Sequence, residues 1–348
     1  MSAQIDKNHD IKKYRRKIHA TYDRLADNIP LQTPWSVMIE PSNKCNFKCV
    51  FCPTGDYELL KKVGRPKGNI ELDLAKKIIL ELTDFPEKIR LLNFSKNGEP
   101  LLCRDLPEMI RYAKSMGIAD KIMTVSNGAL MTETMARDLV ASGIDHIRIS
   151  VEHVSSEGYK RVTQNYGNYD TIVENVKNLR SEIERQNAST EVYVKIVDID
   201  LTDPEKEKFL SVFSPISDMI NIENLRPWNK SDEKDFALGS NVKLNQKGTQ
   251  AVREREVCPA PFYSMNVNFN GEVSACAVDW CHGTIIGNAH THSMLEIWNG
   301  ELMRNFRLKH LNGQKNQIDA CRDCAFIKNF LDASHLDDDA HELVKNFN

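Results

Sequence analysis

Cys45, Cys49 and Cys52 stand in the run Cys45-Asn46-Phe47-Lys48-Cys49-Val50-Phe51-Cys52-Pro53, close enough for one tight loop to wrap an inorganic centre. A cubane of four irons and four sulfides offers four iron corners, and thiolates are its usual protein ligands. Three thiolates leave one iron open, and an open iron can hold and activate a small molecule. A closed zinc site needs a fourth protein ligand, and nothing near this loop supplies it. Three clustered cysteines cannot pair among themselves as disulfides. A second set, Cys258, Cys276, Cys321 and Cys324, lies downstream. Four thiolates close either a [4Fe–4S] cluster or a zinc ion, and spacing alone leaves both open.

The elements that must position these groups alternate. Strand-like runs fall at 36–40, 89–95, 122–126, 146–152, 192–199 and 219–225. Helical spacing fills 71–83, 105–116, 132–142, 155–186 and 203–213. Several strands are apolar and β-branched along most of their length, as in parallel strands buried on both faces. Six strand–helix units in series predict a parallel sheet with right-handed crossovers. A Gly-x-Gly-x-x-Gly turn, expected of a dinucleotide fold after strand one, is replaced by the cysteine loop. Downstream, Asn270-Gly271 between strand-like runs predicts a hairpin that returns Cys276 to Cys258, and a helix over 294–311 precedes Cys321-Arg322-Asp323-Cys324.

Composition narrows the class. The 348 residues, 41% hydrophobic and 27% charged, are ordinary for a globular chain, and a net charge of -3 gives no argument for nucleic-acid or membrane binding. The basic stretch 12–17 reads as a solvated helix face. No run approaches the roughly 20 apolar residues of a membrane span, and the start of the chain has no apolar signal region. A reducing cytoplasm is therefore expected, where nine cysteines serve metal ligation before disulfides.

The first cysteine run, followed by Pro53, resembles the signature of the radical S-adenosylmethionine (SAM) enzymes. The resemblance implies a curved, partial (β/α)6 TIM-like barrel. It also implies that the open iron chelates SAM, whose cleavage yields a 5'-deoxyadenosyl radical, with a flavodoxin- or ferredoxin-type electron donor. Asn97-Gly98-Glu99-Pro100 resembles the family's Gly-Gly-Glu motif, with Asn97 in place of the first glycine; Glu99 would take the SAM amino group. Ser126-Asn127-Gly128 resembles the family's turn after strand three, with ribose or methionine contacts. Ser150 and Glu152 match a Ser-x-Asp/Glu pattern after strand four, and Phe51 would border adenine. The downstream cysteines, with Gly271, Gly287-Asn288 and Leu295-Glu296-Ile297-Trp298, resemble the SPASM/twitch extension, which implies an auxiliary [4Fe–4S] cluster rather than zinc. Five cysteines in this part fit the one-cluster twitch version.

The expected organisation is a helical lead-in over 1–34, the barrel over 35–228, a polar linker over 229–256, the auxiliary-cluster domain over 257–326 and a helical tail over 327–348, whose acidic run 337–339 reads as solvated. One-cluster relatives within the resembling families include oxidants of secondary alcohols. The expected reaction is oxidation of a carbohydrate-like alcohol (a sugar, sugar nucleotide or aminocyclitol) to a ketone, the auxiliary cluster accepting an electron. The hydroxyl proton needs a base, and Lys195 and Arg226 are the candidates. The alternatives are an epimerase in which Cys281 donates hydrogen, and a peptide-modifying maturase. Cys103 is given no role.

Overall fold

Six parallel strands, β1 (Ser36–Ile39), β2 (Ile89–Asn93), β3 (Ala119–Ser126), β4 (His146–Val151), β5 (Glu191–Asp198) and β6 (Met219–Asn224), are neighbours in chain order. The structure is a computed structural model that describes residues 23–347 except 231, 241 and 242. Each crossover carries helix: α1 (Tyr57–Lys62) and α2 (Leu72–Glu81) after β1, then α3 (Leu106–Met116), α4 (Glu133–Ala141), the pair α5 (Ser156–Thr163) and α6 (Tyr169–Arg185), and α7 (Asp203–Phe213). The result is the expected partial barrel. Its wall packs Val37, Leu92, Ile147, Val194 and Ile196 against helix faces that carry Ile78, Ile110, Leu139, Val176 and Phe209, all fully buried.

Two further features differ from the expectation. The helix expected over 155–186 is two, because Gln164 turns into the left-handed region (φ 63) and Asn168 caps a new helix through the Thr171 amide. The helix expected over 294–311 also divides, into α8 (Met294–Asn299) and α9 (Glu301–Leu311). Gly300 between them is extended, and a Cβ there would sit 2.7 Å from the Glu296 carbonyl.

The C-terminal strands β7 (Ser264–Val267), β8 (Glu272–Ser274) and β9 (Ile285–Asn288) extend the same sheet, with β7 parallel to β1 and the rest antiparallel. The turn is at Asn270-Gly271, where Gly271 has φ 81. The lead-in helix and the basic stretch fall mostly outside the described residues, which resume with a short turn at Leu25–Asp27. The tail is a series of single turns ending in a short helix, Ala340–Val344. Its acidic run is not simply solvated: both Asp337 oxygens accept backbone amides, of Glu256 and Val257, at 2.9 Å.

Candidate active site

The cysteine loop leaves the C-terminal end of β1 and is strung across the end of α5. Helix ends leave carbonyls without partners. Here the Val162 and Thr163 carbonyls accept the Val50 and Lys48 amides, each at 3.0 Å. The break after Thr163 thus creates the acceptors that shape the loop. Gly55 closes it from below, since a Cβ there would lie 2.8–2.9 Å from the backbone of Lys48 and Cys49.

The motif after β2 docks on the same loop. The Glu99 amide donates to the Lys44 carbonyl at 2.8 Å, and a Cβ at Gly98 would come within 2.3 Å of the Ser42 carbonyl oxygen. Glu99 gathers the third motif as well: its carboxylate accepts Ser126 Oγ and the Asn127 amide, both at 2.8 Å, and the Leu101 amide at 3.0 Å. Burial pushes its carboxyl up to about 7 against those bonds. Pro100 starts the turn that supports it. Asn97, in the place of a family glycine, is buried and donates from Nδ2 to the Asp279 carbonyl in the C-terminal unit at 3.1 Å. Asn127 Nδ2 reaches Asn46 Oδ1 at 2.8 Å, inside the cysteine loop. The three predicted motifs therefore meet.

Glu152 is 7% exposed and its Oε2 has no partner among the described residues. Burial raises its carboxyl, and the nearby Lys195 ammonium opposes the rise. A buried carboxylate oxygen left without a donor, beside three thiols, fits a ligand that brings a cationic amine or hydroxyls, as SAM does. Burial likewise raises the Cys49 thiol, with Glu152, Cys52 and Cys45 adding to it, so a bound iron must displace the protons.

Inside the partial barrel is a chamber of about 720 Å³. Alternate residues of each strand line it: Asn93 and Ser95, Met123 and Val125, Arg148 and Ser150, Tyr193, Lys195 and Val197. Phe51 and Gly98 border it beside the cysteine loop, and Arg226, Trp228 and Lys247 line it as well, the Trp228 indole donating to the Phe51 carbonyl at 3.0 Å. Lys195 and Arg226 thus both face it. Lys195 makes no hydrogen bond or ion pair among the described residues, and burial lowers its ammonium below the ordinary lysine value, against Glu152 and Glu223. Arg226 stays a cation in any protein setting, whereas a buried lysine can give up its proton. Cys281 does not line the chamber; its thiol contacts Asp279 Oδ1 at 3.5 Å, and burial pushes it up to about 12. Cys103 is buried in the core.

A second cavity, about 220 Å³, is lined by Cys258, Cys276, Cys321 and Cys324 together. All nine cysteines are free thiols. Among the described residues no group of three or more His, Cys, Asp or Glu side chains closes on a single-ion site. A tetrahedral zinc draws its thiolates to about 2.3 Å of one point, so thiols spread around a cavity fit a cluster better. Met38 on β1 lines both cavities, so the chamber and the second cysteine set adjoin at this residue.

The radical SAM superfamily model matches residues 39–202, and the iron–sulfur cluster-binding domain model, SPASM, matches residues 258–325. The chain carries a radical SAM domain followed by a SPASM domain. Its radical SAM domain takes SAM and a [4Fe–4S] cluster, and its SPASM domain takes an auxiliary iron–sulfur cluster. The GTP 3',8-cyclase of Lactiplantibacillus plantarum is 26% identical over 164 residues, 46% of this chain and 43% of that protein. The chain thus spans less than half of that relative's length. Among solved structures, Streptococcus suis SuiB bound to S-adenosylmethionine superposes with a TM-score of 0.59 at 14% identity, covering 85% of this chain and 76% of SuiB. Native anSMEcpe with bound AdoMet gives 0.55 at 14%, covering 90% of this chain and 96% of that one. At these identities the likeness is one of fold.

Sequence reasoning missed Arg148, Lys247 and Met38 in the chamber, and His310 and Asn229 beside the second cysteine set. Strand alternation carries part of the signal, since Arg148 and Ser150 share a face. No helix of the described residues is long and apolar enough to cross a membrane.

Proposed function

We propose that this enzyme oxidises an alcohol of a carbohydrate-like substrate to a ketone. When bound, the cofactors supply a 5'-deoxyadenosyl radical that removes the carbinol hydrogen and an auxiliary cluster that accepts the remaining electron. The chain's own residues do the rest. Lys195, from the middle of β5, takes the hydroxyl proton inside the chamber, and Phe51, Gly98, Glu99, Ser126, Asn127, Ser150 and Glu152 hold SAM against the cysteine loop. The observation that carries the reading is Met38, shared by the chamber and the second cysteine cavity, because a two-electron oxidation needs an acceptor next to the reacting carbon.

The test is an anaerobic reaction of the reconstituted enzyme with dithionite, SAM and a panel of sugars, sugar phosphates and sugar nucleotides. A ketone product with one 5'-deoxyadenosine per turnover supports the reading, and Lys195→Met is expected to lose the ketone while SAM cleavage persists. Full ketone formation by Lys195→Met removes Lys195 from the mechanism. Deuterium from solvent in an unoxidised product would establish an epimerase instead, and a cross-linked or lightened precursor peptide a maturase.

A further inference from the structure

A cluster taken out of water needs hydrogen-bond donors, because a buried charge is costly unless such bonds answer it. A dicationic cubane core on four thiolates carries two net negative charges and gains a third on reduction. Backbone amides beside the second cysteine cavity serve two of the thiols: Ala260 donates towards Cys258, and Phe326 and Ile327 towards Cys324. Several polar side chains on the wall are engaged elsewhere. Ser264 Oγ donates to the Ala260 carbonyl at 2.9 Å, Asn266 Nδ2 to the Ser274 carbonyl at 3.2 Å, and Lys315 Nζ to the Arg255 carbonyl at 2.9 Å.

His310 and Asn229 are not engaged in this way. His310, in the last turn of α9, is 1% exposed and lines the cavity. Its Nδ1 accepts the Cys258 amide at 3.4 Å, which puts the proton of the neutral ring on Nε2. The Phe306 ring, on the same wall, lies 5.2 Å from the imidazole between centroids and limits how it can turn. Nε2 has no partner among the described residues. Asn229 reaches the same cavity from the segment after β6 and is 2% exposed. Its backbone carbonyl accepts the N–H of the fully buried Trp280 indole at 3.0 Å, which fixes the segment. Neither atom of its side-chain amide has a partner among the described residues.

Buried polar groups are almost always hydrogen-bonded. Two orphaned donors on a wall shared with four thiols therefore call for an acceptor inside the cavity, and cluster sulfur is one. The tautomer decides between donor and ligand. A nitrogen that ligates iron must offer a lone pair, whereas His310 Nε2 offers a proton. Four cysteines also suffice for the four iron corners.

The geometry points to His310 Nε2 and Asn229 Nδ2 as donors of hydrogen bonds to sulfur of the auxiliary cluster, holding its potential above that of a cluster bound by the cysteines alone. Such bonds strengthen as the cluster gains negative charge, so they favour the reduced form. A cluster tuned in this direction accepts an electron more readily. The assignment rests on the auxiliary cluster and not on the alcohol-oxidising reading, and a titration without substrate separates the two.

The experiment is a spectroscopic redox titration of the reconstituted Cys45→Ala chain, in which the auxiliary cluster remains, with iron counted in every variant. His310→Leu keeps the bulk and removes both nitrogens. Its midpoint is expected to move negative, changing the ratio of reduced to oxidised cluster about tenfold, or about 59 mV for one electron. His310→Gln, which restores an N–H, returns the midpoint towards the parent, and Asn229→Leu moves it negative. The second measurement is pulsed electron paramagnetic resonance of the reduced parent cluster with isotopically labelled histidine nitrogen. A weak nitrogen coupling that disappears in His310→Gln supports a donor. A strong coupling marks a ligand and overturns the assignment, as does the absence of coupling or an unchanged midpoint in His310→Leu. If His310→Leu alone loses its iron, the coupling in the parent decides; loss of iron in both His310 variants overturns the assignment. An unchanged midpoint in Asn229→Leu strikes Asn229 from it.

Discussion

Gly98→Ala is the sharpest test of how the SAM site is built. The added Cβ would meet three backbone atoms, the Ser42 oxygen at 2.3 Å, the Lys44 oxygen at 2.6 Å and the Asn43 carbonyl carbon at 2.7 Å. Ordinary contact begins at 3.4 Å, so the two segments must part by about 1.1 Å, the difference between 3.4 and 2.3. Backbone cannot rotate away as a side-chain tip can. Moving 42–44 displaces Cys45, the next residue; moving 98–99 displaces Glu99 together with its bonds to Ser126 and Asn127. Overpacking of this kind costs about 1–3 kcal/mol, which leaves the barrel folded. A misplacement of about 1 Å at a reacting centre costs on the order of 100-fold in rate. The assay is 5'-deoxyadenosine release under dithionite, beside a thermal melt and an iron count. The expected result is a loss of cleavage on the order of 100-fold with both clusters present and a modestly lowered melting temperature. Cleavage within about twofold of the parent would show that the close approach is irrelevant to SAM placement, and the reasoning would fail.

Cys45→Ala should lose about four irons per chain and all SAM cleavage, whereas Cys321→Ala should lose a similar amount and keep cleavage, both read by iron assay and 5'-deoxyadenosine release. Asn97→Gly restores the family residue but removes the bond to the Asp279 carbonyl; a stability loss of about 1 kcal/mol with cleavage retained is expected from denaturant titration. Glu99 has its carboxyl raised from 4.5 to about 7 by burial, so between those pH values the folded apo-protein holds a proton that the unfolded chain has released. Its contribution to stability is therefore complete below pH 4.5 and declines as pH rises through 7. Glu99→Gln should flatten the difference in stability between pH 5 and pH 7, and an unchanged slope would assign the pH dependence elsewhere.

The family was legible because type and spacing mark it: thiols with three and then two residues between them have few other uses, and no packing argument is needed to see them. The strands were legible for a related reason, since β-branched runs bounded by turn residues end where the hydrophobic pattern ends. The chamber was not. Parallel strands are buried on both faces, so alternation shows that Arg148 and Ser150 share a side of β4 without showing whether that side is lumen or helix layer. Nor does the apolar spacing reveal the break after Thr163, because apolar residues continue in helical register from Tyr159 to Val176 across residues 164–168, which the left-handed turn at Gln164 opens and the Asn168 cap closes.

The departure at Asn97 shows how a local irregularity becomes intelligible in the fold. A side chain there reaches the C-terminal unit at the Asp279 carbonyl, and its neighbour Lys96 reaches Asn268 Oδ1 at 2.6 Å in the same unit. Asp279 itself is held by the Thr284 hydroxyl at 2.7 Å and by the Gly283 and Thr284 amides at 2.9 Å. The loop that presents Glu99 is thereby braced against the unit that bears the second cysteine set, on the opposite side of β1 from the barrel. A glycine at 97 would allow the same turn without the brace. β1, shared by both through its pairing with β2 and β7, joins these two parts within one sheet, and the Asn97 and Lys96 bonds add a second tie between them.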